Sequence, residues 1–517
     1  EDLKRPREDT TSGGETSSPD LPAPVTWQPQ GSSDALKWKK QKSTSINNSV
    51  NVLMAQRQRG VLTPKLQKKM LDKEVPYNQI PQSDLILYHE AEVKEWKEWL
   101  KNSSVEIVPP TQADKVRKET HASRIIRLRF VYRDKNASVR TPQMPLPVKA
   151  KARLCAQASK EPLAMQGLLK LDSPTVQRVG IMIFLQITVN LKWTGHWRKG
   201  DISSAFLQGK GRDVETKGEL YLEPPGRPLW NVSKGSLLRV VKSVYGLPDA
   251  PRAWWEEVTS FLREVGFQHS RMDIAYMVMY DDQAKLIAHL VLHVDDMMIA
   301  SDGSPFTEKI IQKVHDKYPF GEWIDVNQSP KGILYTGRTI ELVGSEVHVH
   351  QKDFIDGRMD HLKVKREKGR KDDDPARPME KAEYRSAVGN LHWVTSQTRL
   401  DRAVDTSRHQ KRQNNPTFAD MKGLAKTIRE VKASADLVLR IIPVSNPVVA
   451  TWTDSSLYGA KGELIDCDSD LEGYDKHELH SQGGCLLALV DKDMLDDVGD
   501  VPFSVADWRT RASKRVL

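Results

Sequence analysis

The sequence predicts an α+β protein. Apolar and polar residues alternate as in a strand through residues 124–132 (RIIRLRFVY). Two apolar runs in residues 285–300 (KLIAHLVLHVDDMMIA) flank an acidic pair, which predicts a β-hairpin. Apolar residues recur at helical spacing in residues 90–100, 252–265, 383–396 and 418–439. Both kinds of element are therefore expected, without a visible internal repeat.

Composition excludes several classes of protein. The 517 residues leave room for roughly two to four domains. Thirteen Trp, twelve Tyr and ten Phe are too many for a wholly disordered chain. The three cysteines (Cys155, Cys467 and Cys485) are odd in number and lack CxxC spacing. This pattern excludes a disulfide scaffold and a cysteine-based zinc cluster, and it fits a reducing compartment.

We expect a soluble intracellular protein, because the chain opens with charged rather than apolar residues. The longest apolar stretch, residues 179–191, contains Gln186, Thr188 and Asn190. It is too short and too polar to cross a bilayer, which takes about 20 apolar residues. Residues 174–191 instead predict a buried helix.

Residues 1–84 are predicted to form a disordered, basic arm or linker. Their first part is rich in Ser, Thr, Gly and Pro, and residues 37–70 contain nine basic residues and no acidic one. With a net charge of +9, nucleic acid is a permitted partner. An arm that binds phosphates and a solvated linker are both compatible with this pattern.

The acidic pair Asp295–Asp296 lies at the predicted hairpin tip. Two adjacent carboxylates repel each other unless a cation or a proton lies between them, and hard oxygen ligands suit Mg²⁺ or Mn²⁺. Flanking apolar strands would fix this pair, whereas other acidic pairs of the chain lie in polar loops. Asp201 is the candidate third carboxylate, and its alternative role is to cap a helix that begins at Ile202.

Several segments resemble, in order and spacing, the reverse transcriptases of copia-type retrotransposons. A lone HVDD would be a weak signal, but several segments in one order are a strong one. They are DISSAF (201–206), KSVYGLPDAPRAWW (242–255), HVDD (293–296), KAKARLCAQ (149–157), ELYLEPPG (219–226), YRSAVGNLHWVTSQTRLD (384–401) and TWTDSS (451–456).

The resemblance implies a right-hand polymerase of fingers, palm and thumb, followed by a connection region and a partial RNase H-like α/β domain. The implied boundaries are fingers and palm in residues 85–360, thumb and connection helices with a charged linker in 361–445, and the RNase H-like part in 446–517. An RNA template, a DNA or RNA primer and dNTPs would be the partners, together with other segments of a Pol polyprotein. A virus-like particle in the cytoplasm, or the nucleus, would be its location.

The resemblance also implies site residues. Asp201, Asp295 and Asp296 would be catalytic and would bind two Mg²⁺ or Mn²⁺ ions. The nucleotide would be bound by residues that match the family's fingers, steric gate and following loop: Lys151, Arg153, Phe206, Tyr245 and Gly246. His293 would contact the primer, where the family usually carries Tyr.

Asp454 matches the first carboxylate of an RNase H site. The family's next catalytic residue, a Glu, is expected beyond Leu517, so we expect no RNase H activity from this chain. Two other departures from the family pattern are Pro248–Asp249 and Leu400. The alternative to an active polymerase is an inactive, element-derived protein that binds nucleic acid, and a metal-dependent nuclease is a third possibility.

Overall fold

Strands and helices are interleaved along the chain, as the sequence predicts. The computed structural model describes residues 74–137, 140, 145–365, 367–458, 464–465, 480–494 and 502–513. Two compact units divide the chain, Glu1–Val75 and Pro76–Leu517, and the elements below belong to the second. Most of the predicted N-terminal arm, residues 1–73, lies outside the described residues.

The helices of the described residues vary from single turns to five turns. In chain order they are α1 (Leu85–Lys101), α2 (Pro110–Glu119), α3 (Pro162–Met165), α4 (Arg178–Asn190), α5 (Val214–Lys217), α6 (Ala250–Glu264), α7 (Pro305–Lys317), α8 (Lys352–Arg358), α9 (Pro378–Thr395), α10 (Ala403–Arg412) and α11 (Phe418–Ala433).

The strands form four sheets. In chain order they are β1 (Val105–Val108), β2 (Ile125–Asp134), β3 (Ala150–Ala156), β4 (Trp197–Ile202), β5 (Tyr221–Glu223), β6 (Leu237–Val240), β7 (Gln268–His269), β8 (Tyr276–Tyr280), β9 (Leu286–His293), β10 (Asp296–Ser301), β11 (Phe320–Asp325), β12 (Ile333–Tyr335), β13 (Arg338–Val343), β14 (Glu346–His350), β15 (Leu439–Ile441), β16 (Pro447–Tyr458), β17 (Leu464–Ile465), β18 (His480–Asp491) and β19 (Ser504–Ser513).

The strand orders define the four sheets. The first sheet has the order β1-β6-β5-β2-β3 and the second β11-β4-β10-β9-β8-β7. The third and fourth have the orders β12-β13-β14-β15 and β17-β16-β18-β19. All neighbouring strands pair antiparallel except β2 and β5, which are parallel. The chain is therefore a mixed fold of several sheets and helices.

The second sheet is covered on both faces, which fixes the strands that carry the acidic residues. Met298 and Ala300 of β10 pack with α4 and with strands of the third sheet. Met297 and Ile299, which point to the opposite face, pack with α6 and α7. This alternation explains why the sequence of β9 and β10 is almost wholly apolar up to the acidic pair.

Most predicted elements are confirmed within a few residues. The predicted helix in residues 174–191 is α4, and the hairpin predicted in residues 285–300 is β9–β10. Order begins before Leu85, because a 3₁₀ turn spans Tyr77–Gln79 and the Tyr77 ring lies 5.6 Å from that of Tyr132. The end of the predicted arm is therefore packed on the first sheet.

One predicted boundary is wrong. The helical pattern in residues 418–439 ends at Ala433, and Leu439 begins strand β15, which pairs with β14. The guanidinium of the buried Arg399 donates hydrogen bonds to the carbonyl oxygens of Val431 (3.2 Å) and Ser434 (3.0 Å). These bonds satisfy carbonyls that are left free at the helix end and so terminate α11 there.

Within the described residues, none of the helices combines the length and the apolar character that crossing a lipid bilayer would need.

Candidate active site

The hairpin between β9 and β10 presents the acidic pair at one end of the second sheet. Strand β9 ends at His293 and β10 begins at Asp296, so Val294 and Asp295 form the tip. Val294 has a φ of 62°, which is unusual for a β-branched residue. The indole nitrogen of Trp254 on α6 donates a 2.7 Å hydrogen bond to the Val294 carbonyl oxygen, which anchors this tip.

Asp201 lies beside this tip. It is in β4, and it is the direct cross-strand partner of Asp296 in β10. The backbone N–H of Ile202 donates a 2.9 Å hydrogen bond to the carbonyl oxygen of Asp295. The alternative role of Asp201 as a helix cap is wrong, because the residue belongs to a strand. Asp201, Asp295 and Asp296 are thus brought together from distant parts of the sequence.

The carboxylates of the site differ in their charge partners. Burial and the negative charge of Asp295 raise the pKa of Asp201. Burial also raises the pKa of Asp296, although its carboxylate lies 3.3 Å from the ammonium of Lys199. The ammonium of Lys199 also donates a 2.8 Å hydrogen bond to the carboxylate of Glu322. The charges of Asp296 and Glu322 outweigh the effect of burial and raise the pKa of Lys199.

Asp201 and Asp295 are therefore suited to a cation. Burial and the negative charge of Asp295 disfavour the ionised form of Asp201, and a divalent ion between hard oxygen ligands removes that penalty. In the described ranges, no group of three His, Cys, Asp or Glu side chains is arranged to hold a metal ion. The carboxylate of Asp296 pairs with Lys199, so its part in metal binding stays a prediction.

Predicted nucleotide-binding residues from three separate segments meet beside the acidic group. The guanidinium of Arg153 on β3 lies 4.3 Å from the ring centre of Tyr245. The ring of Phe206 lies 5.6 Å from that of Tyr245, which is buried with its pKa raised by burial to about 12. Lys151 interacts electrostatically with Asp201, and burial together with the charge of Arg153 lowers the pKa of Lys151.

Gly246 lets this loop approach strand β3. The backbone N–H of Ala156 donates a 2.7 Å hydrogen bond to the carbonyl oxygen of Tyr245. Gly246 has a φ of +93°, and a Cβ atom on it would lie 2.1 Å from the carbonyl oxygen of Ala156. Only glycine fits such a contact, and the contact fixes Tyr245 beside Arg153.

Sequence reasoning missed three charged residues around the site. Glu95 on α1 accepts a 3.1 Å hydrogen bond from the backbone N–H of Leu154 on the edge strand β3, and burial raises the pKa of Glu95. The other two are Lys199 and Glu322. The ammonium of Lys199 lies 3.3 Å from the carboxylate of Asp296 and 2.8 Å from that of Glu322. The two-residue spacing of Lys199 and Asp201 indicates only that both side chains lie on one face of a strand. No pattern in the sequence indicates the partners of Lys199, Glu95 or Glu322.

His293 and Asp454 occupy different positions relative to this group. His293 is half-buried and is the cross-strand partner of Asp296, next to the hairpin tip. Asp454 is exposed on β16 in the fourth sheet, where its cross-strand partner is Gly484. The acidic group of the second sheet therefore includes His293 as a neighbour but not Asp454.

Comparison with known proteins identifies related polyproteins. The chain is 26% identical over 280 residues to the retrovirus-related Pol polyprotein from transposon RE2 of Arabidopsis thaliana, a match that covers 51% of this chain and 18% of the relative. It is 24% identical over 325 residues to the Pol polyprotein from transposon TNT 1-94 of Nicotiana tabacum (60% and 24% covered). It is 26% identical over 186 residues to the transposon Ty1-BL Gag-Pol polyprotein of Saccharomyces cerevisiae (36% and 9% covered).

The chain spans about a fifth of the length of the plant relatives. The family model described as reverse transcriptase (RNA-dependent DNA polymerase) matches residues 113–364. This range contains every candidate site residue named above except Glu95 and Asp454. Residues 113–364 are therefore similar to reverse transcriptases, and the relatives that the chain resembles are transposon Pol polyproteins.

Proposed function

We propose that the chain is an RNA-directed DNA polymerase that adds dNTPs to a primer 3′ hydroxyl on an RNA template. The observation that carries this proposal is the pairing of strand β4 with the β9–β10 hairpin, which brings Asp201 to Asp295. The family match of residues 113–364 supports the same reaction. Phosphoryl transfer needs neutralised charge and in-line alignment more than a nucleophilic side chain, and the residues here are of that kind.

Asp201 and Asp295 would hold two Mg²⁺ or Mn²⁺ ions, with Asp296 beside them. When bound, such ions would activate the primer hydroxyl and stabilise the negative charge of the pyrophosphate leaving group. The contribution of this chain is to hold the two carboxylates at the ends of packed strands, where burial excludes water from part of each group. Rigid support of this kind maintains the geometry that the reaction requires.

The remaining site residues would bind the nucleotide and the primer. Lys151 and Arg153 are the cations available for the triphosphate, with Tyr245 stacked against Arg153. The Phe206 ring, held against Tyr245, would lie under the sugar and exclude a 2′ hydroxyl. Gly246 would allow the backbone to approach the nucleotide, and His293 would contact the primer end.

We assign the domains on the same basis. The first sheet would be the fingers, the second sheet with α4, α6 and α7 the palm, and α9 to α11 the thumb and connection. The fourth sheet would be RNase H-like, with Asp454 as its first carboxylate. Other segments of a Pol polyprotein are the expected protein partners.

Primer extension on poly(A)–oligo(dT) with Mg²⁺ tests the proposal. We expect Asp201→Asn and Asp295→Asn each to reduce extension by about a hundredfold or more, the loss of several kcal/mol of transition-state stabilisation. Asp282→Asn is the matched control, because Asp282 is exposed in the turn between β8 and β9 and belongs to another acidic pair. That variant should extend primers as the unaltered protein does.

Two results would contradict the proposal. Undiminished extension by Asp295→Asn would show that the product arises elsewhere. If all four proteins bind the primer–template in a salt-dependent way but extend nothing, the chain is a nucleic-acid-binding protein without polymerase activity.

A further inference from the structure

Three carboxylates form a row across the second sheet. Glu322 of β11 and Asp296 of β10 are the direct cross-strand partners of Asp201 on either side of β4. Direct partners in an antiparallel pair point to the same face, with Cβ atoms about 5 Å apart, and like charges there are destabilising. The row Glu322–Asp201–Asp296 therefore requires positive charge nearby.

Lys199 supplies that charge from within the protein. It precedes Asp201 by two residues in β4, so both side chains point to the same face. From the middle strand its long side chain reaches diagonally to both neighbouring strands, with its ammonium 2.8 Å from Glu322 and 3.3 Å from Asp296. The side chain of Lys199 is only 6% exposed, so water screens these contacts little.

We infer that Lys199 is a positioning residue of the proposed active site: its ammonium holds Asp296 and Glu322, and it leaves Asp201 and Asp295 to bind divalent ions. The assignment of these residues to an active site rests on the proposed function. The ion-binding test below does not require polymerase activity. Lys199 offsets part of the negative charge of the row, so the free protein attracts divalent ions less strongly than three bare carboxylates would.

Removal of the ammonium should therefore increase ion binding. If Lys199 were removed, the carboxylates of Glu322, Asp201 and Asp296 would lie side by side. No cation among the described residues would then be in contact with them. A divalent ion would then replace the ammonium, and a charge change at a few ångströms is large enough to tighten binding about tenfold or more. A purely structural lysine would give the opposite result, since damage to the sheet would weaken the site.

Mn²⁺ binding to the full chain, followed by electron paramagnetic resonance without nucleic acid or nucleotide, tests this inference. We expect Lys199→Gln to bind Mn²⁺ about tenfold more tightly than the unaltered protein. Lys199→Arg, which keeps the positive charge, should bind as the unaltered protein does. Lys199→Gln with Glu322→Gln should show a smaller gain, because one carboxylate of the row is removed.

A second variant covers the case in which Lys199→Gln does not fold. The double variant Lys199→Met with Glu322→Gln removes one charge of each sign and leaves the net charge of the site unchanged, so it should bind Mn²⁺ within about threefold of the unaltered protein. Unchanged or weaker binding by folded Lys199→Gln would overturn the inference, as would a tenfold loss in the double variant. Because these measurements need no primer extension, they separate this inference from the proposed polymerase activity.

Discussion

The indole nitrogen of Trp254 donates a 2.7 Å hydrogen bond to the carbonyl oxygen of Val294, the residue that precedes Asp295. Val294 is held at a φ of 62°, a conformation that costs a β-branched residue about 1–3 kcal/mol. Helix α6 therefore stabilises a strained turn, and the strain is located next to the acidic pair. This contact predicts that a residue outside the acidic group controls its geometry.

Trp254→Phe removes this hydrogen bond and keeps an aromatic ring in the core. We expect the free energy of unfolding to fall by about 1–3 kcal/mol, because the Val294 carbonyl loses its partner. We also expect primer extension to slow by about tenfold or more, since small displacements of catalytic groups are costly. Urea unfolding and single-turnover extension measure the two effects.

Trp255→Phe is the control for this variant. Among the buried polar atoms of the described residues, the indole nitrogen of Trp255 has no hydrogen-bond partner, so its loss leaves no carbonyl unsatisfied. If both variants slow extension equally, the hydrogen bond to Val294 has no special role.

Gly246→Ala should disrupt the contact between the 245–246 loop and β3. The new methyl group would overlap the carbonyl oxygen of Ala156, and a φ of +93° is unfavourable for alanine. We expect a loss of about 2 kcal/mol or more in the free energy of unfolding and a raised KM for dNTPs, because Tyr245 moves away from Arg153. Gly226→Ala, with no atom within 4 Å of its added Cβ, should change neither quantity.

The sequence could predict the acidic group because its signal is local. Asp295–Asp296 stands between two apolar runs, and the family motif singles out Asp201. Lys199 and Glu322 could not be assigned in the same way, because their role depends on the register of β4 against β10 and β11. A register is a property of strands that are distant in sequence, and no local pattern specifies it.

The end of α11 also depends on a contact between residues that are distant in sequence, and it could not be predicted for that reason. Apolar residues continue at helical spacing beyond Ala433, but the side chain of Arg399 binds the last carbonyl groups and stops the helix. Leu439 and Ile441, two residues apart, then alternate as in a strand and pair with β14. Helix ends that depend on a tertiary contact are thus the least predictable part of the fold.

His289 should make the protein less stable in mild acid. Its ring is fully buried in β9, hydrogen-bonded to Tyr276 (2.8 Å) and Thr188 (3.0 Å), and burial lowers its pKa to about 3. The unfolded chain binds a proton near pH 6.5 and the folded chain does not, so stability is present above that pH and is lost as the pH falls toward 3. We expect this residue to account for a loss of about 2 kcal/mol between pH 7 and pH 5.

Urea unfolding at several pH values checks the contribution of His289. His289→Gln keeps groups that can donate and accept hydrogen bonds but does not titrate, so its stability should vary less with pH. His361→Gln removes an exposed histidine and should retain the pH dependence of the unaltered protein. Equal pH dependence in all three proteins would contradict the role of His289.

Phe206 should determine the preference for deoxynucleotides. Its ring is held against Tyr245, so a smaller side chain would leave space where a 2′ hydroxyl could fit. We expect Phe206→Val to raise kcat/KM for ribonucleotides relative to deoxynucleotides by about tenfold or more, because discrimination by exclusion depends on the contact that the ring makes. Phe306→Val, at a Phe that is 60% exposed on α7, should leave this ratio unchanged and so separates a local effect from general loosening of the fold. An unchanged ratio in Phe206→Val, with dNTP incorporation intact, would mean that the ring only fills the core between α6 and the second sheet.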